Sequence, residues 1–420
     1  MEANKAYFMV RAEVPNESDR AKFDQWYGTH HFPLAMDKFR AEKGWRFWSR
    51  SDPSVHYALY QFSDMATLRN LGHCWRARLA AQISALDHRA GGFLRHERDS
   101  RRLFADLINA DANDIAFAPA VSYGMAQAAH NIPIAKTQAV VTLAEQFPSN
   151  VYPWMDLAER TGAAFVSVPR PGDDDWTSAL LSCIDRSTAI VAVPHCHWTD
   201  GGLIDLEAIG AACRRVGAAL CVDATQSVGA LPLDVRRIDP DFVAVAGYKW
   251  LLGPYSLGFL YVAARWQGGR PIEHNWIARK GSDDFAGLVN YNREFQAGAR
   301  RFDVGERSNF ALMPVAEASL RLLSEWTVPR VLETLRLRTC AIAERARSEL
   351  GISSVPADRR AGHYLGLRFS GGIPSDLPKR LAAAQVYVSV RGQAMRVTPH
   401  VWNTDEDVEK LFAVLKTALA

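Results

Sequence analysis

A lysine and an acid stand at the ends of two neighbouring apolar segments. Asp223 closes the apolar run 219–222, and Lys249 follows the apolar run 242–247. A lysine amine can form a Schiff base with an aldehyde, and a carboxylate can keep a ring nitrogen protonated so that the ring accepts electrons. Burial would lower the pKa of this amine and favour its neutral, nucleophilic form. The pair therefore predicts an enzyme that uses pyridoxal 5'-phosphate.

The surroundings of Lys249 allow two other interpretations. It is the only charged residue between positions 242 and 264, so hydropathy alone would suggest a membrane span. Gly247, Gly253 and Pro254 would break such a helix, and the pattern is typical of two short buried strands joined by a turn. A lysine that only snorkels from a strand end is the structural alternative. The partner acid favours the functional interpretation.

Composition is that of a soluble globular enzyme. The chain has 420 residues, 48% of them hydrophobic and 23% charged, with a net charge of +3. We expect neither nucleic acid nor a membrane as partner, because no block of five or six Lys or Arg residues occurs. No basic region followed by an apolar core opens the chain, which predicts a cytoplasmic location. The six cysteines lack CxxC spacing, which favours reduced thiols over disulfides or zinc.

The order of the predicted elements indicates the fold. Residues 1–70 give strand 7–14, helix 17–40 and strands 45–50 and 55–62, which is a small α+β module; residues 64–110 are helical in character. Apolar strands then alternate with helical segments, at 115–118, 139–143, 164–168, 189–193, 220–222 and 242–245. Such alternation predicts an α/β fold with a mostly parallel sheet between helices. Residues 314–350 are predicted to be helical and 351–420 to form a small α+β domain, giving domains 1–70, 71–325 and 326–420.

The motifs from Ala118 to Arg396, taken in order, resemble the class V aminotransferase and cysteine desulfurase superfamily of fold type I enzymes, and within it the isopenicillin N epimerase-like branch. The resemblance covers about residues 75–420. It implies that Lys249 forms the Schiff base, that Asp223 faces the pyridine nitrogen and that Gln226 bonds near the cofactor phenolic oxygen. It also implies a homodimer, because the family completes its sites across a two-fold interface.

Further cofactor contacts follow from the same resemblance. Val121 and Ser122, before a helix expected to begin near Gly124, match the phosphate-binding turn, where free amides and a hydroxyl suit an anion. Phe147 matches the position that stacks on the cofactor ring, where many relatives have histidine. A plain core aromatic is the alternative for Phe147. Tyr248 stands where many relatives have a phosphate-binding histidine, and we expect it to replace that donor.

The substrate side of the site is predicted from two arginines. The resemblance matches Arg391, in the string Val-Ser-Val-Arg-Gly, to the guanidinium that clamps the substrate carboxylate through a planar fork. Arg396 lies near the same place, and we expect one of the two to be a structural ion-pair partner. Glu306 stands where desulfurases place a threonine that reaches the partner's phosphate, and an acid suits that anion poorly.

The string His195-Cys-His197-Trp-Thr-Asp200 invites a metal interpretation, since alternate strand residues share a face. We predict no metal, because this run occupies the strand-end loop that lines the cofactor in relatives. Trp198 or His197 is expected beside the cofactor ring instead, with His197 also reaching the substrate.

A second histidine string, in residues 26–33, resembles the Trp-Tyr-x-x-His pattern of EthD-like, dimeric α+β barrel (ferredoxin-like) proteins. The match spans about 60 residues. A structural or dimerisation role for this module is favoured over a second active site.

The chemistry implied is attack of an α-amino acid at the cofactor and removal of its Cα proton by the freed Lys249. Our primary prediction is β-elimination, with C–S cleavage of an S-substituted cysteine, and the alternatives are an aminotransferase or an epimerase. No cysteine lies between Leu350 and Arg391, which argues against persulfide-forming desulfuration. A non-catalytic small-molecule binding protein with a decayed cofactor site is an alternative of another class, against which the intact Lys249, Asp223 and Gln226 weigh.

Overall fold

A computed structural model describes residues 5–14, 16–39, 41–63 and 92–419 of the chain. The chain divides into two compact units, Met1–Ala80 and Ala81–Ala420. Residues 64–91 lie outside the described residues. They include the domain boundary predicted at residue 70 and part of the helical segment predicted over 64–110. Among the helices of the described ranges, none is both long and apolar enough to cross a lipid bilayer.

The described part of the first unit is an antiparallel three-stranded sheet with helices, and its strand order is β1-β3-β2. Its elements are β1 (Ala6–Glu13), α1 (Glu17–Trp26), a π-helical turn (Tyr27–His31), α2 (Phe32–Phe39), β2 (Lys43–Trp48) and β3 (Val55–Phe62). The predicted order of one strand, a helical segment and two strands is confirmed. The ring of His31, in the π-helical turn, stacks on that of Trp26 with centroids 5.0 Å apart. This histidine therefore packs against an aromatic residue of the same sequence motif.

Residues 92–419 contain a sheet of seven strands in the order β4-β10-β9-β8-β7-β5-β6. The strands are β4 (Ile115–Ala118), β5 (Ala139–Leu143), β6 (Ala164–Val168), β7 (Thr188–Pro194), β8 (Ala219–Asp223), β9 (Phe242–Ala246) and β10 (Gly258–Val262). Only β10 runs antiparallel to its neighbours, β4 and β9. All strands except the edge strand β6 are buried along their whole length, which explains their continuous apolar runs. The predicted α/β fold is confirmed.

Helices cover both faces of this sheet, and neighbouring residues of one strand enter different cores. Val243 joins the core on one face and Ala244 the core on the other. A Cβ at Gly124 would lie 2.9 Å from the Cβ of Ala244, so glycine lets its helix approach β9 closely. That helix begins at Val121, earlier than the start expected near Gly124. The helices of the second unit are α3 (Gly92–Leu107), α4 (Val121–Asn131), α5 (Tyr152–Thr161), α6 (Trp176–Leu181), α7 (Leu206–Val216), α8 (Val235–Ile238), α9 (Met313–Trp326), α10 (Val328–Leu350), α11 (Leu377–Ala383) and α12 (Asp405–Leu419).

The last part of the chain forms a smaller antiparallel sheet packed against helices. Its strands are β11 (Leu365–Arg368), β12 (Ser389–Arg391) and β13 (Ala394–Val397), in the order β11-β13-β12. Leu365, Met395 and Phe412 belong to its apolar core, and the predicted α+β pattern of 351–420 is confirmed. The helix predicted over 314–350 is instead two helices separated at Thr327, whose φ is 60°. A proline in the first turn of α10 has no N–H to continue the preceding helix.

Candidate active site

A cavity of about 440 Å³ opens at one edge of the large sheet. The loops that follow the carboxyl ends of β4, β5, β7, β8 and β9 all contribute to its wall. Parallel strands end at the same edge, and ligands of such sheets bind there. The structure brings together in this cavity all the residues predicted to bind the cofactor, namely Val121, Ser122, Phe147, Trp198, Asp223, Gln226, Tyr248 and Lys249.

Lys249 is held by a tight turn between β9 and β10. The amide of Gly247 donates to the carbonyl of Leu257 at 2.9 Å, and a Cβ at Gly247 would lie 2.5 Å from that oxygen. The Lys249 amine lies 5.1 Å from the ring centroid of Phe147. Burial lowers the pKa of Lys249, the nearby charges of two arginines lower it further, and Asp223 opposes them. The amine is therefore biased toward its neutral form.

Asp223 is a buried carboxyl, only 7% exposed. One of its oxygens accepts a hydrogen bond from the backbone amide of Thr225 at 3.0 Å. Burial raises the pKa of Asp223, although the Thr225 bonds and the charge of Lys249 act in the opposite direction. A cation in the cavity, such as a protonated ring nitrogen, would stabilise the ionised carboxylate.

The side-chain amide of Gln226 has a fixed orientation. Its oxygen accepts a hydrogen bond from the indole N–H of Trp250 at 3.3 Å, and an indole can only donate. The amide nitrogen of Gln226 is buried and has no partner among the described residues. His363 also bonds through its ring Nε2 to the Gln226 backbone carbonyl, at 2.5 Å. Gln226, which lines the cavity, thus carries an unused donor, and an unused buried donor calls for an acceptor.

The amino terminus of α4 also lines the cavity. The residue before this helix, Ala120, provides no side-chain cap, and the first amide to bond within the chain there is that of Gly124, to the carbonyl of Ala120. The amides at the start of the helix and the hydroxyl of Ser122 are thus placed as an anion would require. Ser256, with φ of 64°, lines the same cavity.

Aromatic side chains form the remaining wall. The rings of Phe147 and Trp198 meet edge to face with centroids 5.4 Å apart, and the indole N–H of Trp198 donates to the carbonyl of Glu145 at 2.6 Å. Tyr248 lies against Tyr255, with ring centroids 4.6 Å apart. These rings give a flat heteroaromatic ligand apolar surfaces on which to lie.

The donor set fits pyridoxal phosphate. Lys249 suits the aldehyde, Asp223 the ring nitrogen, and the unpartnered amide nitrogen of Gln226 the phenolic oxygen. The start of α4 suits the phosphate. An unpartnered donor, a buried acid and a half-buried lysine each cost free energy, so their presence in one cavity argues against a cofactor site that has lost its function.

His197 is a predicted site residue that the structure does not bring to the cavity. Its ring is fully buried, stacks on Trp176 with centroids 5.1 Å apart and bonds to Thr199 at 2.8 Å. The residues on either side of it, Cys196 and Trp198, face the cavity instead. The histidine therefore packs behind the wall, where it cannot reach a substrate.

The acid of this histidine string is engaged by arginines. Asp200 is engaged by Arg170, at 2.7 Å, and by Arg368, at 2.5 Å. In the described ranges, no group of three or more His, Cys, Asp and Glu side chains is arranged to hold a metal ion.

Arg391 and Arg396 flank the cavity without lining it. The guanidinium of Arg391 lies 5.5 Å from the ring centroid of Trp198, and Arg396 donates to the Trp198 carbonyl at 2.9 Å. Neither forms an ion pair with any residue that the structure describes, so the expectation that one would be a structural ion-pair partner is not met. Glu306 is exposed, whereas Arg307 beside it is buried and bonds to Glu97 at 2.7 Å.

Sequence reasoning missed several residues of the cavity wall, and all of them lie in segments that follow the carboxyl ends of predicted strands. The clearest is Cys196, whose thiol donates to the carbonyl of Gln226 at 3.5 Å. Burial raises the pKa of Cys196 to about 12, so the thiol stays protonated. The other polar ones are Gln146, Ser149, Thr225, Tyr255 and Ser256.

The fold and the residues around the cavity define a fold type I enzyme of the pyridoxal-phosphate-dependent kind. A family model described as Aminotransferase class-V matches residues 64–411. The chain therefore belongs to the class V aminotransferase family, and it is a pyridoxal-phosphate-dependent enzyme, either a lyase or an aminotransferase.

Individual relatives agree with this family. The chain is 28% identical over 322 residues to the uncharacterized aminotransferase YcbU of Bacillus subtilis, which covers 74% of this chain and 80% of that protein. A probable cysteine desulfurase of Methanothermobacter thermautotrophicus is 33% identical over 171 residues, 41% of this chain and 43% of that protein.

Solved structures share the fold. The cystine C–S lyase C-DES, in complex with its reaction product cysteine persulfide, has a TM-score of 0.71 at 19% identity and covers 82% of this chain and 93% of its own. The cysteine desulfurase CsdA of Escherichia coli has a TM-score of 0.71 at 20% identity, with 83% and 91% covered.

Proposed function

We propose that the protein is a lyase that cleaves the C–S bond of an S-substituted cysteine by β-elimination, with Lys249 as the catalytic base. The observation that supports the chemistry is the meeting of Lys249, Asp223 and the unpartnered amide nitrogen of Gln226 in one cavity. The finer assignment, to an isopenicillin N epimerase-like branch of the family, is part of this proposal and comes from the sequence motifs.

Each of these residues has a separate role in the proposed reaction. Bound pyridoxal phosphate supplies an electron-accepting ring that stabilises negative charge developing at the substrate Cα. Asp223 would hold the positive charge of the ring nitrogen, and Gln226 would donate toward the phenolic oxygen. Lys249, whose pKa is lowered mainly by burial, takes the Cα proton as a neutral amine. The Cβ–S bond then breaks, the sulfur leaves as a thiol, and water converts the remaining fragment to pyruvate and ammonia.

The cysteines support elimination over persulfide transfer. A desulfurase needs a thiolate that can approach the substrate sulfur. Cys196 is the one cysteine in the described ranges that lines the cavity, and it is fully buried with a pKa raised by that burial to about 12. Its thiol is thus fixed and protonated. Cys74 lies outside the described residues.

Transamination is the second candidate, and the name of the relative YcbU, an aminotransferase, favours it. Epimerisation is the third, from the sequence resemblance. The three reactions share the removal of the Cα proton and differ in its fate, so product analysis separates them. Elimination releases pyruvate without a keto acid acceptor, transamination requires such an acceptor, and epimerisation changes only the configuration of the amino acid.

The test begins with the cofactor. Borohydride reduction of the purified protein supplied with pyridoxal phosphate should leave a mass adduct on the peptide that contains Lys249. Lys249→Ala should lose the adduct, and Lys280→Ala, the same change at an exposed lysine paired with Glu294, should retain it. A panel of S-substituted cysteines is then assayed for pyruvate. An unmodified Lys249 would refute the whole assignment, whereas an adduct without pyruvate would refute only the elimination.

We further propose a cytoplasmic homodimer in which the first unit, an EthD-like module, has a structural or dimerisation role. Three apolar side chains support this, because they stay exposed on the sheet of that unit, Met9 at 54%, Trp45 at 42% and Phe47 at 45%. In the second unit Tyr255 and Tyr291 are 71% and 95% exposed. Sedimentation of the full chain should give a dimer. A monomer at micromolar concentration would contradict this proposal.

A further inference from the structure

Two guanidinium groups share one face of a hairpin beside the cavity. In the pair β12–β13, Ser389 lies opposite Arg396 and Arg391 opposite Ala394. Residues opposite each other, and residues two apart on one strand, point to the same face of a sheet. Arg391 and Arg396 are therefore diagonal neighbours on one face, and such neighbours lie about 7–8 Å apart.

Both groups converge on the cavity wall. Arg391 lies over the indole ring of Trp198 and Arg396 bonds to the carbonyl of the same residue, and Trp198 lines the cavity. Their charges reach the catalytic amine as well, since both arginines lower the pKa of Lys249 after the larger effect of burial. The pair thus faces the place where a substrate would be bound.

Neither charge is balanced by an acid among the described residues. Neighbouring arginines of the same unit are balanced: Arg170 pairs with Glu145 and Asp200, and Arg368 with Asp174 and Asp200. Two like charges at this spacing repel each other in a half-buried setting, and anions normally compensate them. The contrast indicates that the counter-ions of the hairpin arginines come from a ligand.

The two arginines are held differently. Arg396 is pinned by one terminal nitrogen to the Trp198 carbonyl, and its Nε is buried with no partner in the described ranges. Its remaining edge can bind a carboxylate through two parallel hydrogen bonds. Arg391 bonds only to the backbone carbonyl of Val390 and otherwise lies on the indole ring. The fixed group suits the α-carboxylate, which every amino acid has, and the less constrained group suits a variable one.

We propose that the substrate is an amino acid with a second acidic group, that Arg396 binds its α-carboxylate and that Arg391 binds the second acid. This reverses the assignment of the clamp made from the sequence. It rests on the proposed action on an α-amino acid, and for a C–S lyase it specifies an S-substituent that ends in a carboxylate or a similar anion.

Two matched cysteine conjugates test this proposal. S-carboxymethyl-cysteine carries the second acid, and S-carbamoylmethyl-cysteine replaces that acid by a neutral amide of the same shape. Affinity is measured on the holoenzyme from the change in its visible absorbance, so the readout does not depend on turnover. A charge-assisted, two-point contact should give the acidic conjugate about a tenfold to hundredfold tighter Kd.

Variants then separate the two arginines. Arg391→Gln should bring the ratio of the two Kd values to within about twofold, whereas Arg396→Gln should weaken both conjugates by similar factors, about tenfold or more. Arg391→Lys keeps the charge and loses the fork, so it should retain part of the ratio. Arg347→Gln, at an exposed arginine paired with Glu344, is the control and should leave the ratio unchanged. Melting temperatures verify that each variant is folded.

Two results would overturn the proposal. In the first, the wild-type enzyme binds the two conjugates equally well. In the second, Arg391→Gln and Arg396→Gln both leave the ratio of the two Kd values intact, which would mean that both guanidiniums hold one carboxylate. Pyruvate is assayed in the same samples. A preserved preference for the acidic conjugate without pyruvate would support the substrate class and refute elimination. Pyruvate released equally from both conjugates would support elimination and refute the substrate class.

Discussion

The orientation of Gln226 gives the sharpest prediction at the cofactor. Because the indole of Trp250 can only donate, it binds the amide oxygen of Gln226, and the amide nitrogen of this cavity residue has no partner among the described residues. A donor at the phenolic oxygen of the cofactor withdraws negative charge that would otherwise hold the neighbouring Schiff-base proton. Loss of the donor should therefore raise the pKa of that proton, which is read from the visible absorbance of the holoenzyme as a function of pH.

The magnitude follows from the type of bond. A hydrogen bond to a charged group contributes about 1.5–3 kcal/mol, and about 1.4 kcal/mol corresponds to one pKa unit. Gln226→Ala should therefore raise the midpoint by about one to two pKa units. Trp250→Phe keeps the side-chain amide of Gln226 but removes the donor to its buried oxygen, so the amide is no longer held in one orientation. We expect a smaller rise of the midpoint, by about one pKa unit.

A double variant makes this reasoning refutable. If Trp250 acts only through the amide of Gln226, Trp250→Phe should have no further effect in the Gln226→Ala background. Trp402→Phe, at a tryptophan that is 63% exposed, is the matched control and should not move the midpoint. An unchanged midpoint in Trp250→Phe, or a shift that adds fully to that of Gln226→Ala, would show that the indole does not orient the amide.

Three further outcomes are expected elsewhere in the second unit. Arg101→Met should lower the free energy of unfolding by about 3–5 kcal/mol in denaturant titrations, because it leaves two buried carboxylates short of a cation; Arg102→Met, at an exposed pair, should cost no more than about 1 kcal/mol. Burial lowers the pKa of His363 to about 3 and that of His400 to about 4. Below the pKa of about 6.5 that a histidine has in the unfolded chain, the unfolded state therefore binds more protons than the folded state. The free energy of unfolding should fall as the pH drops from about 6.5 toward 4, by up to about 1.4 kcal/mol per pH unit for each histidine. His400→Phe should make this fall shallower, and an identical slope would contradict the account. Asp223→Asn should reduce turnover about a hundredfold while the borohydride adduct still forms.

Much of the site could be predicted because it lies next to strong local signals. The strands of the large sheet are buried on both faces and are therefore continuous apolar runs. The cavity residues follow the carboxyl ends of those runs, so the amino-acid sequence alone was enough to place Asp223 and Lys249 at one edge of the sheet. Their roles there are still predictions.

The loop after β7 shows what local patterns leave open. Alternation along a strand groups Pro194, Cys196 and Trp198 on one side and His195 and His197 on the other, but it does not say which side faces the ligand. The structure turns the first group to the cavity. A wall beside an aromatic cofactor is apolar, and that chemical criterion would have selected the correct side.

Long-range pairings could not be predicted. The buried ion cluster joins Arg101 to Asp303, and Arg307 to Glu97, across about half of the chain, and a single sequence does not show which charges meet. For the same reason an ion-pair partner was expected for Arg391 or Arg396. The break between α9 and α10 was visible in principle, because a proline follows Thr327 and Val328.

No residue of strand β10 is among those that line the cavity, yet this strand holds together the strands that do lead into it. It lies between β4, which leads into the helix start near Ser122, and β9, which leads to Lys249. Within the described residues β4 has no other strand partner. During synthesis the strand that pairs with both β4 and β9 is therefore added only when residues 258–262 have left the ribosome. A growing chain that ends before β10 leaves the edge of β9 open to pairing with other chains.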